Sequence, residues 1–248
     1  MSLLTGLVSY WKMDESSDGS GAVTRNDSHG SNNLTDNNTT PSGSGIINNG
    51  ANFQVANSEY LSITDAAQSG LDITGDLSIS VWVKFTSTTE VVTFVDKTGG
   101  NTAGQRAYFF DYYAGSLAFL NSADGTANSQ QTVAWSPSTA IWYHVAVTFE
   151  SSTKAKKFYV DGSQQGTTQT GVYTGIFNSA APFNIGYYAE APGYYTNAVL
   201  DEHGIWSRVL TGAEITSLYN GGVGLSYDDF GGGGTVFPQP TLLTLGLG

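Results

Sequence analysis

Leu77-Ser-Ile-Ser-Val-Trp-Val-Lys-Phe85 is the stretch on which the reading of the fold turns. Side chains of an extended strand alternate between its faces, so Leu77, Ile79, Val81, Val83 and Phe85 share one side, and Ser78, Ser80, Trp82 and Lys84 the other. Trp142-Tyr-His-Val-Ala-Val-Thr-Phe149 repeats the pattern, with Tyr143, Val145, Val147 and Phe149 together and Trp142, His144, Ala146 and Thr148 opposite. Both faces carry apolar groups, which predicts a sheet packed on one side and shaped into a groove or floor on the other. Trp82, Trp142 and His144 share a register for such a floor, but tryptophan and histidine at fixed strand positions more often pack and hydrogen-bond inside a fold.

Outward from these strands, Lys157-Phe-Tyr-Val160 runs into Asp161-Gly162, a dipeptide that tolerates the positive φ of a tight hairpin. Asn184-Ile-Gly-Tyr-Tyr188 and Ala198-Val-Leu-Asp-Glu-His-Gly-Ile-Trp206 are further strands flanking an aromatic loop. From Phe53 onward such segments recur roughly every ten residues, the spacing of an all-β sandwich. Residues 16–52, dominated by Ser, Gly, Asn, Thr and Asp, read as a long polar loop region. One helix is signalled by Thr211 as N-cap, Glu214 as its capping-box partner, Ile215, Leu218 and Tyr219 on one face, and Gly221 as the stop. It is expected to cover an open end of the sandwich. The domain is drawn at residues 1–222, and residues 223–248 read as a Gly-rich linker and an apolar C-terminal arm. Val236, Phe237, Leu242, Leu243, Leu245 and Leu247 are too apolar to leave in water, and Pro238 and Pro240 discourage a helix. An extended arm that docks on a neighbouring copy or a larger scaffold is the expectation.

The 248 residues carry 21 Asp+Glu against 9 Lys+Arg, a net charge of −12, and no cysteine. Such a surface repels phosphate backbones and anionic head groups, so nucleic acid is excluded and partners are expected to be neutral or cationic. Without cysteine there are no disulfides, thiolate metal sites or thiol nucleophiles. Met1-Ser-Leu-Leu-Thr-Gly-Leu-Val-Ser-Tyr-Trp-Lys12 has no cationic leader and reads as a first strand, not a signal peptide. No stretch of about 18 apolar residues predicts membrane insertion.

Several segments together resemble the laminin-G-like jelly-roll domains of the concanavalin A-like lectin and glucanase superfamily. They are Gly6-Leu-Val-Ser-Tyr-Trp-Lys-Met-Asp-Glu15, Gly50-Ala-Asn-Phe53, Tyr60-Leu-Ser-Ile63, residues 77–84 and 142–148, Phe158-Tyr-Val-Asp-Gly162, Phe183-Asn-Ile-Gly186, Leu200-Asp-Glu202 and residues 207–221, in that order. The resemblance implies a jelly-roll sandwich of two antiparallel sheets used to bind glycans, proteins or surfaces, often with calcium. Glycosidases of the superfamily carry Glu-x-Asp-x-x-Glu on one strand to place acid and nucleophile together, and no such string occurs here. Catalysis is therefore not expected, and a glycoside hydrolase stands as the alternative reading.

By the same resemblance a structural calcium would use Asp14, the backbone at Gly50 and Asp201, with Asp27 and Asn32 in reserve; the competing reading has Asp14 and Asp27 capping turns. For ligand binding, Tyr112-Tyr113, Tyr187-Tyr188 and Tyr194-Tyr195 are aromatic pairs in which alternation puts half in the core and half outside. Sugar C–H faces stack on such rings, which nominates Tyr112, Tyr187, Tyr194, Tyr195 and Asn197. The expected setting is extracellular or a virion surface, as a phage tail or capsid-decoration subunit or as a fragment of a larger secreted adhesin.

Overall fold

In a computed structural model that describes residues 2–100, 102–189 and 193–231, two antiparallel sheets face one another across a shared core, as in a jelly roll. The larger, eight-stranded sheet runs Ser163–Thr170, Ala155–Val160, Trp142–Glu150, Leu77–Phe85, Ala198–Trp206, Asn49–Phe53, Ser42–Ser44, and Leu7–Trp11 also pairs with Ala198–Trp206. The seven-stranded sheet runs Ser129–Ala134, Ser116–Asn121, Tyr108–Tyr113, Val92–Asp96, Phe183–Ile185, Tyr60–Ile63, Thr35–Asn37. A separate two-stranded ribbon pairs Tyr187–Tyr188 with Tyr194–Tyr195.

The alternation in residues 77–85 is realised in full. Leu77, Ile79, Val81, Val83 and Phe85 are buried between the sheets, and Phe149, Val147 and Val145 stand opposite Leu77, Ile79 and Val81. On the other face His144 pairs with Trp82, their rings 5.3 Å apart, and His144 Nε2 lies 2.7 Å from the Ser80 hydroxyl. These groups are packing, not a groove floor. Residues 16–52 are less irregular than their composition suggests, because Thr35–Asn37, Ser42–Ser44 and Asn49–Phe53 pair at the sheet edges.

The helix, Gly212–Tyr219, begins with the expected capping box between Thr211 and Glu214, and Asn220, with φ of 48°, ends it one residue before Gly221. Its position differs from expectation. Ile215 and Leu218 pack with Leu210, Ala146, Tyr159 and Trp206, so the helix covers the outer face of the eight-stranded sheet, not an open end. Residues 223–231 correct the proposed linker, since Phe230 is buried in that layer and Tyr227 stacks on Tyr10 at 5.3 Å. Two aromatic anchors outweigh a glycine-rich composition there. The expected arm at residues 235–248 lies outside the described residues.

Candidate functional site

Among the described residues no helix lies over the outer face of the seven-stranded sheet. In Tyr108–Tyr113, alternation sends Tyr108, Phe110 and Tyr112 into the core and Phe109, Asp111 and Tyr113 outward. On the next strand Ala118 stands opposite Asp111 and Leu120 opposite Phe109, and Gln130 follows opposite Leu120. With Val91, Asn128, Tyr188 and Tyr194, the outward groups other than Ala118 line a cavity of about 270 Å³.

The tyrosine ribbon forms one wall. Gly186 starts it at φ of +81°, where a Cβ would come within 2.6 Å of the Phe53 ring, so a left-handed glycine is required at this close approach. Thr93 ties the ribbon down: its N–H donates to Thr196 Oγ1 at 2.9 Å and its carbonyl accepts from Gly186 N at 3.1 Å. Tyr188 pairs with Tyr194 and Tyr187 with Tyr195, so the two pairs occupy opposite faces of the ribbon. Tyr188 packs on Phe109 with centroids 4.4 Å apart, and Tyr194 continues the stack 6.1 Å beyond. Tyr194 and Tyr113 are 43% and 54% exposed, which leaves ring surface for a ligand at both rims.

Asp111 sits between Phe109 and Tyr113 on this face, only 5% exposed, and its Oδ1 accepts no hydrogen bond among the described residues. Burial holds its carboxyl well above the ordinary carboxylate range. Among the described residues lining the cavity there is no Lys, Arg or His to neutralise it.

The five nominated ligand residues do not converge. Tyr194 lines the cavity, whereas Tyr187 and Tyr195 stack on each other at 4.7 Å on the far face of the ribbon, against Tyr60. Asn197 Nδ2 donates to Glu90 Oε2 at 3.0 Å. Tyr112 is corrected outright: it is 2% exposed and packs edge-on against Phe85 and Trp135, and its neighbour Tyr113 is the exposed member of the pair. Sequence reasoning missed Phe109 and Asp111, and from the pairs Tyr112-Tyr113 and Tyr187-Tyr188 it nominated Tyr112 and Tyr187 where Tyr113 and Tyr188 line the cavity. The available signal was a carboxylate set two residues from aromatic neighbours on both sides in an otherwise apolar strand.

The carboxylates nominated for calcium point elsewhere. Asp201 Oδ2 accepts from the N–H groups of Ile46 and Ile47 at 2.8 and 3.1 Å, and Oδ1 from Glu202 N at 2.9 Å. Asp14 accepts from Asn49 N and Asn48 Nδ2, and a Cβ on Gly50 would meet the Leu200 carbonyl at 3.1 Å. Asp27 caps a turn, accepting from the N–H groups of His29, Gly30 and Asn32, while Asn32 bridges Ser9 and Ser69. Among the described residues no three acidic or histidine side chains converge as a metal-holding group. As arranged, with oxygens directed at N–H donors, these residues do not fit a calcium ion.

Asp201 and Glu202 have the raised pKa values expected of catalytic carboxyls, about 9 and about 8, with burial the main cause in both. They are 0% and 3% exposed, however, beneath segment 45–49 and Tyr10, whose hydroxyl donates to Glu202 Oε2 at 2.5 Å. A sugar cannot reach them. A second depression, about 530 Å³, is lined by Ser16, Ser17, Asp18, Ser20 and Ser42 with small apolar neighbours, and offers no ring to stack on.

The fold has known counterparts. The binding domain of Paraclostridial Mosquitocidal Protein 1 superposes with a TM-score of 0.63 at 16% identity, covering 88% of this chain and 52% of that one. The receptor binding domain of the botulinum neurotoxin C/D mosaic serotype gives 0.61 at 13% identity, over 89% and 52%. The ligand binding domain of botulinum neurotoxin serotype D, in complex with N-acetylneuraminic acid, gives 0.60 at 12% identity, over 88% and 52%. This chain thus spans about half the length of each, and at these identities the likeness is one of fold. No curated protein matches the chain. The family model described as the concanavalin A-like lectin/glucanases superfamily, of laminin G type, matches residues 55–216, and the chain belongs to that family.

Proposed function

We propose that this chain is a non-catalytic binding module that takes a carbohydrate in the aromatic cavity of the seven-stranded sheet. The observation that carries the reading is the stack Phe109–Tyr188–Tyr194, facing Tyr113 across a concavity that also offers a carboxyl and two amides. Rings supply surface for sugar C–H faces at low ordering cost, and Asn128 and Gln130 can meet hydroxyls. Glycoside hydrolysis needs two carboxyls flanking the bond, and Asp111 is the single acid among the described lining residues. The toxin domains named above add a fold-level analogy with binding modules. Display on a secreted protein or a virion, with assembly through the arm, belongs to the same proposal.

A glycan array tests it, followed by titration of the hits. Tyr194→Ala is expected to weaken binding by about tenfold, the loss of one stacked ring, with the melting temperature little changed because the ring is largely outside the core. Hits unaffected by Tyr194→Ala and Tyr113→Ala would move the site elsewhere; release of reducing sugar from a bound glycan would overturn the non-catalytic reading.

Calcium between Asp14 and Asp201 is decided by chelation. The donor geometry predicts an unchanged melting temperature, and a fall reversed by added calcium would establish the metal through its stabilisation of the native state.

A further inference from the structure

We propose that the sugar bound in this cavity carries a protonated amino group, seated against Asp111. The proposal rests on reading the cavity as a carbohydrate site and names the class of sugar.

A buried carboxyl needs a counter-charge or hydrogen-bond donors, and among the described residues Asp111 Oδ1 has neither. Its pKa is raised by burial alone, with no charged neighbour contributing. A protein that only needed to fill this position would be better served by an apolar or amide side chain. The carboxyl makes chemical sense if an incoming ligand supplies the missing cation and N–H donors together.

The surroundings suit the same group. Phe109, Tyr113, Tyr188 and Tyr194 bring four aromatic rings to one cavity, and ring faces attract ammonium groups most strongly where water is displaced. The net charge of −12 draws cationic ligands toward the surface and repels carboxylated sugars. A quaternary ammonium such as choline would satisfy the rings, but it has no N–H for Asp111 Oδ1 and at most a single hydroxyl to share between Asn128 and Gln130. An amino sugar uses all three. N-acetylation removes the positive charge and leaves the carboxyl unpaired, so the free amine is the discriminating feature.

The test is calorimetric titration of the whole chain near pH 6.5 with glucosamine oligomers, the matching N-acetylglucosamine oligomers, neutral cello-oligomers and choline. The free-amine oligomer is expected to bind about tenfold more tightly than its acetylated and neutral counterparts, the scale of one cation–carboxylate and cation–π contact. Asp111→Asn, which preserves shape, is expected to abolish that preference, and the comparison of ligands on the unaltered chain stands even if that variant fails to fold. Equal affinity for the three oligomers overturns the amine inference and leaves the carbohydrate reading intact. Binding of no oligomer, with an empty glycan array, overturns both. Choline binding as tightly as the amino sugar overturns the sugar half and assigns the cavity to simple ammonium groups.

Discussion

Trp206→Ala is expected to cost about 3–5 kcal/mol of folding stability, the range for removing a large aromatic side chain from a packed interior. Trp206 is fully buried on the outer face of the eight-stranded sheet, its indole N–H donates to the Leu3 carbonyl at 2.7 Å, and its ring lies 6.5 Å from those of Tyr10 and Phe230. The side chain therefore joins the N-terminal segment, the strand Ala198–Trp206 and residues 225–230 in one layer. Truncation leaves a cavity and an unpaired carbonyl together. Urea denaturation is the measurement, and a loss under about 1 kcal/mol would mean that this layer collapses onto the gap and is only loosely packed.

The second large effect is on pH dependence. Glu202 and Asp201 have folded-state pKa values raised to about 8 and about 9, above their unfolded values. Their contribution is therefore fully present below the unfolded pKa and is lost as pH rises through the folded one. Other groups overlap. The buried His144 and His203, lowered to about 3, weaken the fold as pH falls below their ordinary titration, so they drop out above about pH 6.5. Lys156, lowered by burial to about 7, opposes the carboxyls above that pH. The difference between the natural chain and Glu202→Gln cancels the His144, His203 and Lys156 contributions, while the part of the Asp201 shift that comes from the Glu202 charge is removed with it and adds in the same direction. Glutamine can still accept from Tyr10, so the two proteins should be nearly equally stable at pH 5. The variant should gain on the order of 3 kcal/mol by pH 9, at about 1.4 kcal/mol per pKa unit. Parallel stability curves from pH 5 to pH 9 would show that Glu202 titrates normally in the folded chain.

How much of this was legible depends on parity. In Leu77–Phe85 every second residue is aliphatic or aromatic and most of the others are polar, so which face packs inward is written in the residues themselves. Tyr108-Phe-Phe-Asp-Tyr-Tyr113 has aromatic groups at both parities, and period alone cannot say whether Tyr112 or Tyr113 faces out. Packing of Tyr112 against Phe85 and Trp135, residues distant in sequence, settles it. The tyrosine ribbon shows the same limit from another side: four tyrosines can be counted, but the pairing Tyr188–Tyr194 that puts two of them over Phe109 is a matter of register. Local composition misled at residues 223–231 because the surface that receives Phe230, formed by Tyr10 and Trp206, is assembled from both ends of the domain. The helix was found because its signals are local; where it lands is not.

The two outer faces of the sandwich are unequal, and that sets a direction. Ser2 Oγ donates to the Phe230 carbonyl at 3.0 Å, so these two residues, 228 positions apart, lie side by side on the face layered by the helix. The aromatic cavity opens on the opposite face, a full sandwich thickness away. A tether attached at Ser2 or Phe230 would therefore pull from behind the cavity and not across its mouth. A ligand fixed to a surface and an anchor fixed at that pair of residues would load the domain through its stacked sheets, in compression or tension along one axis, with the cavity at the outward pole.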